Sequence, residues 1–253
     1  MEGYDASTYG DRFADVYDDW YSDVTDAAAC SAKVAQLVAA IGGGPVLELG
    51  IGSGRLALPM AECGLQVHGI DASEAMVARL RAKPGGEEIK VTIGDMAELS
   101  LPGPTRFAVA LVAFNTFFNL ATEERQRQCM ARVADRLAPG GCFLIEAFVP
   151  DAASGPGIDG ALTPKHITAD EVVLSVSQRD RSAQTITGQH VHVTEAGIRL
   201  RPWHLRYATP DQLDAMAADA GLALAWRDAG WDGERFDDDS AVHVSAYTSG
   251  RFG

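Results

Sequence analysis

The run Glu48-Leu49-Gly50-Ile51-Gly52-Ser53-Gly54 constrains this chain more than any other stretch. Val46 to Leu49 is a short apolar strand, and residues 54–63 carry helical spacing closed by Gly64. Glycines at alternate positions between strand and helix make a turn without obstructing side chains, so backbone N–H groups and the helix N-terminus can approach a ligand closely. The same turn also serves as a plain βα connection. Dinucleotide-binding folds use the spacing Gly-x-Gly-x-x-Gly, whose third glycine would fall here at Arg55 or Ala57 and is absent.

The strand–helix alternation continues. Leu65 to Ile70 forms a second strand that ends at Asp71, and Ser73 caps a helix to about Lys83, stopped by Pro84-Gly85-Gly86. Ile89 to Ile93 and Phe107 to Phe114 are the third and fourth strands. Thr122 caps a long helix whose Met130, Val133 and Leu137 face inward; Pro139-Gly140-Gly141 ends it, and Cys142 to Val149 is the fifth strand. This order predicts a doubly wound parallel sheet with helices on both faces. Ahead of it, Tyr9, Phe13, Val16, Tyr17, Trp20, Tyr21 and Val24 recur at steps of three and four, with Asp11, Asp15, Asp18, Asp19 and Asp23 between them. That spacing predicts one amphipathic helix, or two short ones, with an aromatic face. A second helix runs from Ala27 to Ile41. Residues 151–167 read as a loop rich in Gly, Ala, Pro and Asp. Val172 to Ser177, Thr185 to Thr194 and Gly197 to Tyr207 read as an antiparallel meander, followed by a helix from Pro210 to Ala220. Leu222 to Asp228 and Val242 to Thr248 are the last strands, joined by the acidic loop Asp232 to Asp239.

A chain of 253 residues suits one large α/β domain or one domain with an insertion. A net charge of −14 excludes nucleic-acid duplexes and anionic membrane surfaces as partners, because both demand clustered Lys and Arg. A neutral, cationic or otherwise small substrate fits better. Cys30, Cys63, Cys129 and Cys142 form no Cys-x-x-Cys pair and read as reduced, buried thiols in a cytoplasmic protein, with no metal site. The acidic N-terminus has no apolar core of a signal peptide, and no apolar run approaches a membrane span.

Three further elements join the glycine turn. Asp71 ends the second strand, where a carboxylate can accept both hydroxyls of a ribose or cap the next helix. Gly94-Asp95-Met96 follows the third strand; the carboxylate can meet an exocyclic amine, and Met96 offers a backbone N–H and a soft face to a purine. Asn115 follows the fourth strand. All lie beyond the carboxyl ends of consecutive strands, where open α/β sheets bind ligands.

With these residues, the chain resembles class I S-adenosylmethionine (SAM)-dependent methyltransferases, and within them the aminosugar N-methyltransferases of actinobacterial antibiotic pathways. The likeness covers residues 9–148: the Tyr-rich N-terminal segment, Glu48 to Gly54, Asp71, Gly94 to Met96, and Leu137-Ala138-Pro139-Gly140-Gly141. It implies a Rossmann-like methyltransferase sheet with a reversed terminal hairpin, an N-terminal helical lid and an antiparallel β insert. The expected division of the single domain, residues 1–253, is a lid over 1–44 and a cofactor-binding core over 45–150. A loop and insert over 151–208 and a terminal helix and strands over 209–253 complete it. It implies that Gly50 and Gly52 pass under the methionine end of SAM, that Gly54 belongs to the cofactor-binding set, and that Asp71 holds the ribose. Asp95 and Met96 bracket the adenine, with Gly94, Ala72 and Met76 beside them. Glu48 orients the loop or meets the methionine amine.

Methyl transfer from a sulfonium is an in-line displacement, so the protein chiefly binds and aligns. Aromatic faces and Tyr hydroxyls suit a sulfonium cation, which makes the Tyr9, Phe13, Tyr17, Trp20, Tyr21 face the expected lid. Tyr9, Tyr21 and Asn115 are expected cofactor contacts, and Tyr17 and Asn115 are also placed nearest the chemistry. His204 is the expected base, lying where related enzymes contact substrate. His190 and His192 share one sheet face and read mainly as solvated surface. Glu146, at the end of the fifth strand, reaches the same rim or satisfies a helix terminus. The expected activity is methylation of an amine or hydroxyl of a small molecule such as a sugar or other secondary metabolite. The alternative is a SAM-binding protein of the same fold that transfers no methyl group. A homodimer is left open.

Overall fold

The computed structural model describes residues 1–22, 24–151 and 157–249. Asp23 and part of the expected 151–167 loop therefore lie outside the described residues. The elements follow in the order α1 (Thr8–Phe13), α2 (Tyr17–Trp20), α3 (Ala27–Ala40), β1 (Val46–Leu49), α4 (Ala57–Glu62), β2 (Val67–Asp71), α5 (Glu74–Arg81), β3 (Lys90–Ile93), β4 (Phe107–Val112), α6 (Glu123–Ala134) and β5 (Leu137–Phe148). Then come β6 (Ile158–Ile167), β7 (Glu171–Asp180), β8 (Thr185–Thr194), β9 (Gly197–Arg206), α7 (Pro210–Asp219), β10 (Ala223–Asp228) and β11 (Val242–Thr248).

The main sheet has seven strands in the order β10-β11-β5-β4-β1-β2-β3. β1 pairs in parallel with β2 and β4, as does β4 with β5, whereas β11 runs antiparallel to both β5 and β10. The doubly wound sheet and its reversed terminal hairpin are therefore both present. All six residues of β4 are buried, as a central parallel strand covered on both faces must be. One core layer gathers Leu47, Phe107, Phe117, Met130, Val133 and Leu213. The other gathers Val34, Val46, Met60, Leu80, Val109 and Leu144 on the opposite face. The expected caps form: Ser73 Oγ accepts from Met76 N at 3.1 Å, and Thr122 Oγ1 from Arg125 N at 3.2 Å.

The sequence expectation needs four corrections. The helix expected over residues 54–63 begins at Ala57, because the glycine turn extends through Gly54, which holds φ +80°. β5 starts at Leu137 rather than Cys142, and the register jumps from Phe107↔Leu137 to Val109↔Cys142, so Pro139-Gly140-Gly141 bulges out of a strand instead of ending a helix. Residues 158–167, expected as loop, form β6 and make the insert four-stranded. Every residue of β6 is exposed, so its strand is held by backbone pairing to β7, and it carries no burial alternation to read. Finally, Cys30, Cys129 and Cys142 are buried free thiols as expected, but Cys63 is exposed.

The N-terminal segment breaks into two short helices, and its aspartates are its anchors rather than a solvated face. Ser73 Oγ donates to Asp11 at 2.6 Å. Ser53 Oγ and Lys83 Nζ donate to Asp18 at 2.5 and 2.8 Å. Arg201 donates to both oxygens of Asp15 at 2.6 and 3.0 Å, and Arg199 adds a third bond at 2.8 Å. The hydrogen bond from Arg201 holds the Asp15 carboxyl below its usual range. Gly10 lets α1 rest on the start of α5, since a Cβ there would lie 2.4 Å from Ser73 Cβ. No helix among the described residues is long and apolar enough to cross a membrane.

α7 is closed by a reciprocal capping box, with Gln212 N donating to Thr209 Oγ1 and Thr209 N to Gln212 Oε1. Thr209→Ala is expected to lower stability by about 1 kcal/mol, read from the urea midpoint at unchanged slope.

Candidate active site

A cavity of about 410 Å³ opens over the carboxyl ends of β1, β2 and β3. Glu48, Gly50, Gly52, Asp71, Ala72, Met76, Gly94, Asp95 and Met96 line its floor and sides, and Tyr4, Tyr9 and Tyr17 cover it from the lid. Ala113, Thr116, Asn119 and Arg125 close the far wall. Most of the expected cofactor set is thus brought together. Three members are not: Gly54, Tyr21 and Asn115 do not line this cavity.

The glycine turn works differently from the sequence expectation. Gly50 N and Ile51 N donate to Ile70 O at 2.8 and 3.1 Å, Gly52 N to Asp71 Oδ2 at 2.8 Å, and Gly54 N to Ile51 O at 3.0 Å. These N–H groups hold the loop to itself and to β2, so the loop offers the cavity a bare Cα surface. Gly50 has φ +67°, and a Cβ on it would stand 2.5 Å from Thr116 Cγ2. Gly54 serves packing, with Leu80 Cδ1 only 2.3 Å from where its Cβ would be. Asp71 accepts from Gly52 N and Ser73 N, one bond to each carboxylate oxygen, both at 2.8 Å. One lone-pair direction remains on each oxygen. Burial raises its pKa despite these bonds. Asp95 accepts from Ala97 N at 2.8 Å and is ion-paired with Arg125, a partner from α6 that nothing near Asp95 in the sequence announces.

Glu48 is buried, and burial pushes its carboxyl up to about 8, with Arg55 opposing and Asp71 reinforcing the shift. Its Oε2 has no hydrogen-bond partner among the described residues, and neither have Nε and Nη1 of Arg55 on the same cavity wall. The Arg55 guanidinium lies 5.7 Å over the Phe114 ring and beside the Tyr17 hydroxyl. Arg55 escaped sequence reading because it occupies a position at which a glycine was sought.

A second cavity of about 940 Å³ lies between the lid, the end of β4 and the insert. Trp20, Tyr21, Phe114, Trp203 and Leu205 give it apolar walls, and Asn115, Glu171, His190 and His192 give it polar ones. Tyr9, Tyr17, Thr116 and Asn119 belong to both cavities and form the partition between them. Tyr9 stacks on Phe13 at 4.4 Å, and Tyr17 and Tyr21 meet at 5.0 Å. Burial raises the pKa of all three phenols, that of Tyr21 to about 12, so they stay neutral.

The remaining expected residues fall as follows. His204 lines neither cavity; its Nδ1 lies 2.8 Å from Thr187 Oγ1 and its ring 6.2 Å from Tyr4. Phe114 and Asn115 both hold left-handed backbone, with φ +48° and +63°. Asn115 Oδ1 accepts from Phe148 N at 2.7 Å, so its side chain ties β4 to β5. Glu146 supports the same strained turn, its Oε2 accepting from Phe114 N at 2.8 Å and from Thr25 Oγ1 at 3.0 Å. Thus Glu146 satisfies a turn rather than a helix terminus. His190 and His192 face the cavity instead of solvent.

Residues 46–141 match the model of a methyltransferase domain family. The whole fold superposes on the CcbJ methyltransferase from Streptomyces caelestis with a TM-score of 0.87 and 40% identity, over 96% of this chain and 98% of that one. The chain belongs to the class I SAM-dependent methyltransferases. A cypemycin N-terminal methyltransferase from Streptomyces sp. is 27% identical to this methyltransferase over 92% of this chain and 94% of its own length. A SAM-bound amino pentose methyltransferase of Micromonospora echinaspora, involved in calicheamicin biosynthesis, shares the fold. Its TM-score is 0.66 at 23% identity, over 92% of this chain and 97% of that one. The cofactor of this methyltransferase is SAM, and the cavity's chemistry fits it. A buried acceptor without a partner stands beside buried cationic donors without partners, as the ammonium and carboxylate of an amino-acid end require.

The raised carboxyl of Glu48 makes a stability prediction. A carboxyl whose folded pKa exceeds its unfolded value favours the fold while protonated. That stability is present below roughly pH 4.3, the ordinary Glu value, and is lost as pH rises. The loss is complete above about 8. Glu48→Gln removes this dependence, so without cofactor the variant is expected to gain on the wild type between pH 5.5 and 8.5 in urea unfolding.

Proposed function

We propose that this methyltransferase moves the methyl group of SAM to an amine nitrogen of a bulky small molecule seated in the second cavity. The observation that carries the reading is the shared partition of Tyr9, Tyr17, Thr116 and Asn119. It makes the two cavities neighbours across a few side chains, as an in-line transfer from donor to acceptor requires. Bound SAM supplies an electrophilic methyl group on a sulfonium. Glu48 takes the ammonium of the methionine end and Arg55 its carboxylate. Asp71 accepts from the ribose, and Asp95 and Met96 take the adenine, with Arg125 neutralising Asp95. The phenols of Tyr9 and Tyr17 turn neutral oxygens and ring faces toward the reacting region and exclude water from it.

An amine is favoured over a hydroxyl for two reasons. The wall of the second cavity includes the carboxylates of Asp19 and Glu171 and a set of aromatic rings, which together suit a cationic or nitrogenous acceptor. The relatives named for their acceptors act on an N-terminus and on an amino pentose. A volume of about 940 Å³ accommodates a molecule larger than one sugar ring.

The test is calorimetric binding of SAM, then turnover followed by mass against amino sugars, cyclic secondary amines and peptides with free N-termini, each paired with its hydroxyl counterpart. A gain of one methyl on nitrogen is expected; transfer only to hydroxyls contradicts the reading. Arg55→Met and Glu48→Gln are each expected to weaken SAM binding about ten- to a hundredfold, the value of one charge-assisted hydrogen bond. Thr209→Ala is expected to leave it unchanged.

A further inference from the structure

The insert turns one face toward the second cavity. Antiparallel register places Val173, His192 and Arg199 in one row across β7, β8 and β9, and Ser175, His190 and Arg201 in the next. Glu171, two residues from Val173, shares that face. His192 Nε2 lies 2.7 Å from Glu171 Oε2, and His166 Nε2, from β6, lies 3.3 Å from Glu171 Oε1. The three side chains grade from inside to outside, with 14% exposure at His192, 33% at Glu171 and 51% at His166. All three line the cavity. A sheet face that merely met solvent would show no such gradient.

An ionised Glu171 beside Nε2 selects the tautomer with the hydrogen on Nε2, which leaves the lone pair of His192 on Nδ1. This is the arrangement of a base oriented by a carboxylate. The other charged or titratable groups facing His192 do not compete for that part. Arg199 and Arg201 are engaged by Asp15. Lys165 and Asp19 lie on the cavity wall. His190 packs edge-on to Phe13 and beside Trp20 and Trp203, rings that supply no counter-charge, and burial pushes it down to about 4.

We propose that His192, Glu171 and His166 form a proton exit that strips the acceptor amine of its proton inside the second cavity and passes it to water. This rests on the reading of that cavity as the acceptor site. An amine arrives at neutral pH as an ammonium ion, which has no lone pair to attack with. His192 Nδ1 takes one N–H proton, and the bonding pair stays on nitrogen. That pair forms the N–C bond while the S–C pair returns to sulfur. His192, now an imidazolium held by Glu171, gives one proton up to water at the open rim beside His166, which restores the Nε2–H form, so one proton leaves per turnover.

The experiment compares wild type, His192→Gln, Glu171→Gln and Ser175→Trp with an accepted amine between pH 5.5 and 9.5, after confirming that each variant binds SAM. In the wild type, kcat/KM is expected to hold to lower pH than in the variant that lacks the imidazole. In His192→Gln the fall is expected to move up toward the amine's own pKa, with about a hundredfold loss at pH 7 and recovery in alkali. Glu171→Gln is expected to lie between the two. A profile unchanged in His192→Gln, with Ser175→Trp inactive, overturns the proton exit and leaves the acceptor cavity standing. Unchanged turnover in Ser175→Trp overturns the cavity reading itself. A measurement that needs no acceptor is the 15N spectrum of His192 at pH 7.5. A proton on Nε2 is expected, and a proton on Nδ1 overturns the proposal.

Discussion

The attachment of the glycine loop to the end of β2 is the constraint on which the rest depends. Gly52 N donates to Asp71, and Gly50 N and Ile51 N share the Ile70 carbonyl. Ile51 meanwhile drops its side chain into space left by Gly69, where a Cβ would stand 2.3 Å from Ile51 Cδ1. The loop is therefore a rigid part of the sheet's upper edge. Its rigidity keeps Glu48 buried and Arg55 on the cavity wall, and buried polar groups that the protein leaves unpaired are tolerated where a ligand pairs with them. Asp71 does two jobs through one carboxylate: it fixes the loop and leaves lone pairs toward the cavity.

The lid turns that edge into two chambers. Its aspartates reach three separate parts of the fold: Asp11 to α5, Asp18 to the glycine loop and to Lys83, and Asp15 to the insert. With those points fixed, Tyr9 and Tyr17 can only stand between the cofactor edge and the insert. The acidity of the segment thus has a local structural use beyond net charge. The strained Phe114–Asn115 turn completes the partition from below, held by the Glu146 carboxylate and by the bond of Asn115 to β5. Two adjacent non-glycine residues at positive φ persist only where surrounding bonds over-determine them, and such bonds are present.

Much of this was legible beforehand because it is local. Strand–turn–helix units declare themselves through apolar runs, Gly and Pro stops and capping residues, so β1 to β4, the caps at Ser73 and Thr122 and many of the residues that line the first cavity were readable in order. Signals that depend on burial or distant pairing were not. β6 has no buried face and is defined only by its neighbour, so its composition reads as loop. Arg125 belongs to Asp95 across 30 positions of chain. His204 sits in an aromatic, basic stretch that invites a catalytic role, yet the pleat gives it Thr187 and Tyr4 as neighbours, while His192 lines the second cavity.

By itself the sequence determined a parallel α/β sheet with a nucleotide-like site at its upper edge, and it excluded the dinucleotide spacing. Those properties follow from alternation, turn chemistry and the absence of a glycine, all within a few residues of one another. Only the tertiary structure decided where the loop's N–H groups point, which aspartates hold the lid, and that the insert's histidines face inward. The reason is physical. A side chain's hydrogen-bond partner and its solvent exposure are set by elements that pack from far along the chain, and a strand's two faces cannot be told apart until something covers one of them.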